Sequence, residues 1–252
     1  MTNVPTVAVA DGVQMPMIGL GTYGLRGEKG YAALRSAIDL GYRHFDTATS
    51  YGNEAEVGRA VRDSGAEVFI TTKLPPERAH EPSVVLDESL RALGVDHIDL
   101  WLIHWPPNRT ASPPTWRALV DAVASGRVRA AGVSNYSVAQ LDELVEATGV
   151  TPAVNQVPWS PSQHDPAYLA AQQERGVTVE GYSPIKRSNL RDKTLRGIAE
   201  ARGVTPAEVV LAWHLAHDIV VIPKSANNDR LRTNLAAAEL TLTPDEVAAI
   251  DR

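Results

Sequence analysis

Residues 41–51, GYRHFDTATSY, carry a short apolar run straight into a carboxylate, Asp46, with a phenol, Tyr51, five positions on. The pattern returns twice downstream. VFITTK (68–73) closes on Lys73, and IDLWLIH (98–104) closes on His104. Three strand-like runs that each end on a reactive side chain are what a parallel barrel needs to gather an active site on its C-terminal rim.

Working outward, the same rhythm covers the chain. Val/Ile-rich runs alternate with amphipathic stretches, the signature of βαβ units and a parallel sheet. The strand ends are expected near Gly21, Asp46, Lys73, His104, Ser134, Gln156, Tyr182 and Pro223, spaced 22 to 41 residues apart. Eight units close a barrel that its own side chains can fill. The widest interval is expected to hold two helices, around 194–202 and 206–217. Ahead of the first unit, VPTVAVA, Asp11-Gly12 and VQMP read as a β-hairpin with a type I′ turn. The fold expected is therefore α/β, a (β/α)8 TIM barrel with an N-terminal β-hairpin. No linker or composition shift divides the 252 residues, so one domain over 1–252 is expected.

Composition narrows the function. The net charge is −6 and the 24 basic residues are scattered, which argues against a nucleic-acid partner. There is no cysteine, which excludes disulfides and thiolate metal sites and fits a cytoplasmic protein. No apolar run reaches the roughly 20 residues of a membrane span, and the N-terminus lacks a signal-peptide layout.

The chemistry follows from the four residues. A free tyrosine, with a pKa near 10, is a weak acid at neutral pH. An ammonium beside it, Lys73, lowers that pKa, so Tyr51 is expected to give a proton to a developing alkoxide. Asp46 would keep Lys73 charged, and His104 would aim the substrate oxygen. The set holds neither an acyl-transfer nucleophile nor a metal cage. Taken singly, each residue has an ordinary explanation: a helix cap, a rim salt bridge, a core histidine, a loop tyrosine. Their combination points to reversible carbonyl reduction with hydride from a cofactor.

The motifs that accompany these residues resemble the aldo-keto reductase family nearly end to end. GYRHFDTATSYGNEAEVGRA (41–60) resembles its aspartate and tyrosine segment, FITTKL (69–74) its lysine strand, and DLWLIHWP (99–106) its histidine strand. GVSNYS (132–137), VNQV (154–157), GYSPI (181–185) and IPKS (222–225) resemble its cofactor-binding strand ends. The resemblance implies a small-molecule carbonyl substrate, NADPH/NADP as cofactor and a monomer. It makes Tyr51 the proton donor, tuned by Lys73 and Asp46, with His104 orienting the carbonyl. Ser134, Asn135 and Gln156 would hold the nicotinamide carboxamide and Tyr182 would stack on its ring. Gly21, Thr22, Asp46 and Ser183, Pro184 and Ile185 would line the cofactor groove. Asn234 falls at the adenine, and Lys224, Ser225 and Arg230 match the site for the adenosine 2′-phosphate. There the physics agrees, because a helix start near Asn227 and two cations favour an anion. Tyr23 and Trp105 resemble pocket-wall aromatics.

Several positions depart from the family pattern. Pro158-Trp159-Ser160-Pro161 replaces a common Glu-x-His-Pro, Pro75 replaces an aromatic, and Thr233-Asn234 replaces Glu-Asn. Where the chain ends, at Asp251-Arg252, a more open pocket is expected. Rival motifs point elsewhere: Gly19-Leu-Gly21-Thr-Tyr-Gly24 matches a dinucleotide fingerprint, and Tyr182-Ser-Pro-Ile-Lys186 a short-chain dehydrogenase pair, though Pro184 disfavours the helix that pair needs. Two rival functions are a barrel aldolase with Lys73 as a Schiff-base amine and a cofactor-sensing subunit of slow turnover.

Overall fold

Two antiparallel strands, β1 (Thr6–Ala10) and β2 (Val13–Pro16), open the computed structural model, which describes residues 2–252. Eight parallel strands follow: β3 (Leu20–Gly21), β4 (His44–Asp46), β5 (Phe69–Leu74), β6 (Ile98–Ile103), β7 (Val128–Ser134), β8 (Val154–Pro158), β9 (Thr178–Tyr182) and β10 (Val220–Ile222). They pair in sequence order. The first and last segments then meet: Gly19 N–H donates to the Val221 carbonyl (2.9 Å) and Val221 N–H to that of Met17 (2.8 Å). Every expected strand end falls within two residues of an observed one.

The barrel is wrapped by α1 (Gly27–Leu40), α2 (Glu54–Ser64), α3 (Pro82–Leu93), α4 (Pro113–Ala124), α5 (Val138–Thr148), α6 (Pro166–Glu174), α7 (Lys193–Arg202), α8 (Pro206–Ala216) and α9 (Asn228–Ala236), with α10 (Pro244–Ile250) after them. As expected, α7 and α8 both lie between β9 and β10. Local chemistry sets the boundaries. Pro82 opens α3, and Gly94, left-handed at φ 65°, closes it. Thr205 and Glu208 form a reciprocal capping box at α8.

β5 and β6 are buried along their whole length, as strands covered on both faces must be. Inside the barrel, Phe69, Leu100, Ala130, Val154 and Val220 pack against Val9, Val13 and Met15 of the hairpin. The hairpin thus plugs the N-terminal end, leaving the C-terminal rim for polar groups. Its turn is not type I′. Gly12 is left-handed (φ 67°) but Asp11 is not, and the register shifts between Ala8 and Ala10. A left-handed Asp carries a steric cost that Gly does not, and the bulge supplies the twist instead.

The first two glycines of the apparent dinucleotide fingerprint serve barrel closure. A Cβ on Gly19 would lie 2.5 Å from His44 Nδ1, and one on Gly21 would lie 2.9 Å from the Ile222 carbonyl oxygen. Only Gly lets this segment lie so close to β4 and β10. The next helix starts at Gly27, beyond the motif. Nor does Tyr182–Lys186 form a helix.

Candidate active site

Because strand side chains alternate faces, residues two apart on β4, β5 and β8 share the barrel interior. Asp46 from β4 and Lys73 from β5 are both buried and meet there. Lys73 Nζ donates to Asp46 Oδ1 and Oδ2, each at 2.7 Å, and to the Thr47 carbonyl at 2.7 Å. The ammonium is thus fixed by three short contacts, two of them to one carboxylate. Burial pulls the Lys73 pKa down, but Asp46 and Tyr51 outweigh it and the net shift is upward. A charged lysine of this kind cannot attack a carbonyl, which removes the Schiff-base reading.

Tyr51 sits on a short 3₁₀ turn, Thr49–Tyr51, ended by left-handed Gly52 (φ 62°). The turn is tied down from both sides. Thr49 Oγ1 donates to the Lys73 carbonyl (2.9 Å), and Arg26 Nε donates to the Tyr51 carbonyl (2.7 Å). Lys73 Nζ lies 5.2 Å from the Tyr51 ring centre. Contrary to the sequence expectation, the Tyr51 pKa is raised. Burial pushes it up, the Lys73 ammonium opposes this, and burial wins. Tyr51 is thus a protonated phenol across the neutral range.

His104 follows β6, its ring 5.8 Å from that of Tyr51. Burial, reinforced by the Lys73 charge, holds its pKa down at about 4, so the imidazole is neutral. Its Nδ1 faces Ser50 Oγ at 3.5 Å. Tyr23 and Trp105 stand exposed at 69% and 48%, with the Tyr23 ring 5.2 Å from Tyr51. The mouth is thus flanked by large apolar surface.

One polar chain runs along the rim. Tyr182 Oη donates to Asn135 Oδ1 (3.0 Å), Asn135 Nδ2 to Ser134 Oγ (2.8 Å), and Ser134 Oγ to the Gln156 carbonyl (2.8 Å). Asn135 and Ser183 both adopt positive φ, 65° and 56°, a strained conformation for non-glycine residues. Thr22 Oγ1 is buried with no hydrogen-bond partner, an orphan that a bound group would satisfy.

Farther out, Lys224, Ser225, Ala226, Asn227 and Arg230 line a concave surface at the start of α9. Asn227 caps that helix through Arg230 N–H (3.0 Å). Among the described residues, neither Lys224 nor Arg230 forms an ion pair. Asn234, one turn farther along α9, is buried. Two free cations beside a helix N-terminus suit a phosphate.

Sequence reading missed four supports. Asn53 Nδ2 donates to the carbonyls of Thr22 and Leu25, both at 2.9 Å, and its Oδ1 accepts from Thr47 Oγ1 at 2.8 Å. It locks the loop after β3 to the loop after β4. Glu180, His44 and Thr71 form a buried polar layer beneath Asp46 and Lys73. The one available signal was a glutamate inside the strand TVEGY. At the divergent Pro158–Pro161 stretch, Trp159 turns inward and stacks on Tyr168. Away from this site, His217 Nε2 and Trp213 Nε1 bind Asp251 Oδ1 at 2.9 and 2.8 Å, anchoring the end of α10.

Residues 17–252 match the model of the aldo/keto reductase family. The chain is 45% identical to 2,5-diketo-D-gluconic acid reductase B from Corynebacterium sp. (strain SHS752001), over 99% of this chain and 93% of that protein. It is 35% identical to methylglyoxal reductase DkgA from Salmonella typhimurium, over 99% and 94%. Among solved structures, an aldo/keto reductase from Brucella melitensis superposes with a TM-score of 0.94 at 36% identity, covering 99% of both chains. A mutant of Gox0644 in complex with NADPH does so with a TM-score of 0.94 at 37% identity, covering 99% of this chain and 93% of that one.

Proposed function

This chain belongs to the aldo/keto reductase family, and on that premise we propose that Tyr51, Lys73, Asp46 and His104 carry out the proton half of a carbonyl reduction. The chain is an NADP-dependent oxidoreductase that reduces carbonyl groups to alcohols. NADPH, when bound, supplies the hydride. Tyr51, kept protonated by burial, gives its proton to the carbonyl oxygen as negative charge builds there. The fixed Lys73 ammonium stabilises the phenolate left behind, and Asp46 keeps that ammonium charged and in place. Neutral His104, with Nδ1 against Ser50, uses Nε2–H to aim the carbonyl. The observation that carries this reading is the buried Asp46–Lys73 pair beneath Tyr51.

The residues fit the cofactor. Thr22 brings an unpartnered buried hydroxyl, and Gly21 would lie beside the cofactor with it. Ser134, Asn135 and Gln156 would hold the carboxamide, and Tyr182 the ring. Ser183, Pro184 and Ile185 would follow the pyrophosphate. Lys224, Ser225 and Arg230 would hold the 2′-phosphate, and Asn234 would lie toward the adenine. For substrate, small dicarbonyl compounds are proposed, because two relatives are named for reducing a 2,5-diketo acid and methylglyoxal; Tyr23 and Trp105 would flank them at the mouth. A monomeric, one-domain protein over 1–252, working in the cytoplasm without nucleic acid or membrane, completes the proposal; no helix among the described residues is long and apolar enough to cross a membrane. The test is NADPH oxidation against a panel of small dicarbonyls, simple aldehydes and simple ketones. Dicarbonyls should show the highest kcat/KM; a panel led by simple ketones would refute the substrate class.

A further inference from the structure

Beneath the Asp46–Lys73 pair lies a second buried carboxyl that the proton transfer above does not use. Glu180, on β9, has no solvent exposure. Its Oε2 accepts from Gln156 Nε2 at 2.7 Å, and the other hydrogen of that amide goes to Asp46 Oδ2 at 2.8 Å. With an acceptor on either side, the Gln156 amide can be oriented only one way. Its NH2 points down between two carboxyls, and its own oxygen is left for the cofactor side.

Hydrogen bookkeeping then sets the charge of Glu180. The Pro16 carbonyl can only accept, so His44 Nδ1, 3.1 Å away, carries that ring's hydrogen. Burial holds the His44 pKa down at about 4, so the ring is neutral and Nε2 is a bare lone pair. That lone pair faces Thr71 Oγ1 at 3.2 Å and Glu180 Oε1 at 3.7 Å. Glu180 Oε1 has no hydrogen-bond partner. An ionised Glu180 would set a charged oxygen against a nitrogen lone pair. It would also receive no hydrogen bond from a cation: Lys73 acts on Glu180 only through its charge, while its Nζ donates to Asp46 and Thr47. A protonated Glu180 carries its hydrogen on Oε1, toward the His44 lone pair, and leaves Oε2 to accept from Gln156.

We propose that Glu180 is a positioning residue held as a neutral carboxylic acid, which locks Gln156 and shields the Asp46–Lys73 pair from a second negative charge, and that its ionisation turns the site off at alkaline pH. The groups facing it are complete on this point. β4 offers His44 and Asp46, β5 offers Lys73, β8 offers Gln156, and β10 offers only the apolar run Val220–Ile222. Asp99 of β6 bears on His44 and is itself paired with Arg129. Burial, with Asp46 adding to it, pushes the Glu180 carboxyl up to about 8, in keeping with this arrangement. The charge added on ionisation would oppose phenolate formation at Tyr51 and remove the fixed geometry of Gln156.

The inference rests on the reductase reading, so its first test does not depend on turnover. In infrared difference spectra of the NADPH-loaded protein titrated with base, a protonated-carboxyl C=O band should be present at neutral pH. It should bleach with a midpoint near 8 and be missing from Glu180→Gln. Carbonyl reduction should fall about tenfold per pH unit above that midpoint in the wild type, and Glu180→Gln should lose this alkaline limb, because its amide cannot ionise. A wild-type spectrum without the band at neutral pH would overturn the proposal, even if Glu180→Gln failed to fold. So would a Glu180→Gln pH profile that superimposed on the wild type.

Discussion

Lys73 Nζ lies 2.7 Å from both carboxylate oxygens of Asp46, and both side chains are sealed from solvent. Such a pair is costly to break and cheap to replace whole. Removing one partner strands a buried charge, at about 3–5 kcal/mol. Lys73→Met should therefore abolish reduction and cut stability by about that amount, read as a fall in the urea midpoint. Adding Asp46→Asn should restore most of the stability and none of the activity. A lone Lys73→Met as stable as the wild type would contradict the pairing.

Arg230 is exposed, beside Lys224 at the start of α9, with no carboxylate on it. Losing one charge-assisted hydrogen bond to phosphate costs about 1.5–3 kcal/mol, so Arg230→Ala should weaken NADPH binding roughly tenfold or more. NADH, which lacks the 2′-phosphate, should be little affected. Titration of cofactor fluorescence decides it, and equal losses for both cofactors would remove Arg230 from this role.

Trp105, 48% exposed at the mouth, should act on substrate and not on cofactor. Trp105→Ala is expected to raise KM severalfold for bulky carbonyls while leaving the Kd of NADPH in place. Unchanged kinetics for every carbonyl would make it a surface residue with no part in the pocket.

Stability should peak near pH 6.5. His44, His104 and His214 are held down at about 4, in each case chiefly by burial, against an ordinary 6.5. Between those values the unfolded chain binds protons that the folded one refuses, so stability falls as pH drops from 6.5 toward 4. Glu180 acts with the opposite sign. Its folded value of about 8 lies above the ordinary 4.5, so the folded state keeps a proton the unfolded chain releases, and stability falls as pH rises toward 8. Urea midpoints across this range test both limbs. Glu180→Gln should flatten the alkaline limb and, because Glu180 opposes the histidines above pH 4.5, steepen the acid one.

The rim residues were legible because each interrupts an apolar run: a charge or phenol at a strand end is visible in one dimension, and parallel pairing brings strand ends together. Helix limits at Gly94 and Thr205 were legible for the same local reason. What escaped depends on burial and three-dimensional proximity. Ammonium and phenol alone predict a lowered Tyr51 pKa, and only the enclosed site shows that desolvation wins. Glu180 looks like one polar position in a strand until His44, from a strand more than a hundred residues earlier, is seen to face it. Asn53 does its work through backbone carbonyls, which no side-chain motif records. Gly19 and Gly21 mimicked a phosphate loop because close backbone approach needs glycine whatever is approached.

The most direct measurement is NADPH oxidation by Tyr51→Phe beside NADPH binding by the same variant. Turnover should drop by several orders of magnitude while the Kd of NADPH stays near that of the wild type. A variant that still reduces carbonyls at the wild-type rate would show that the proton comes from elsewhere.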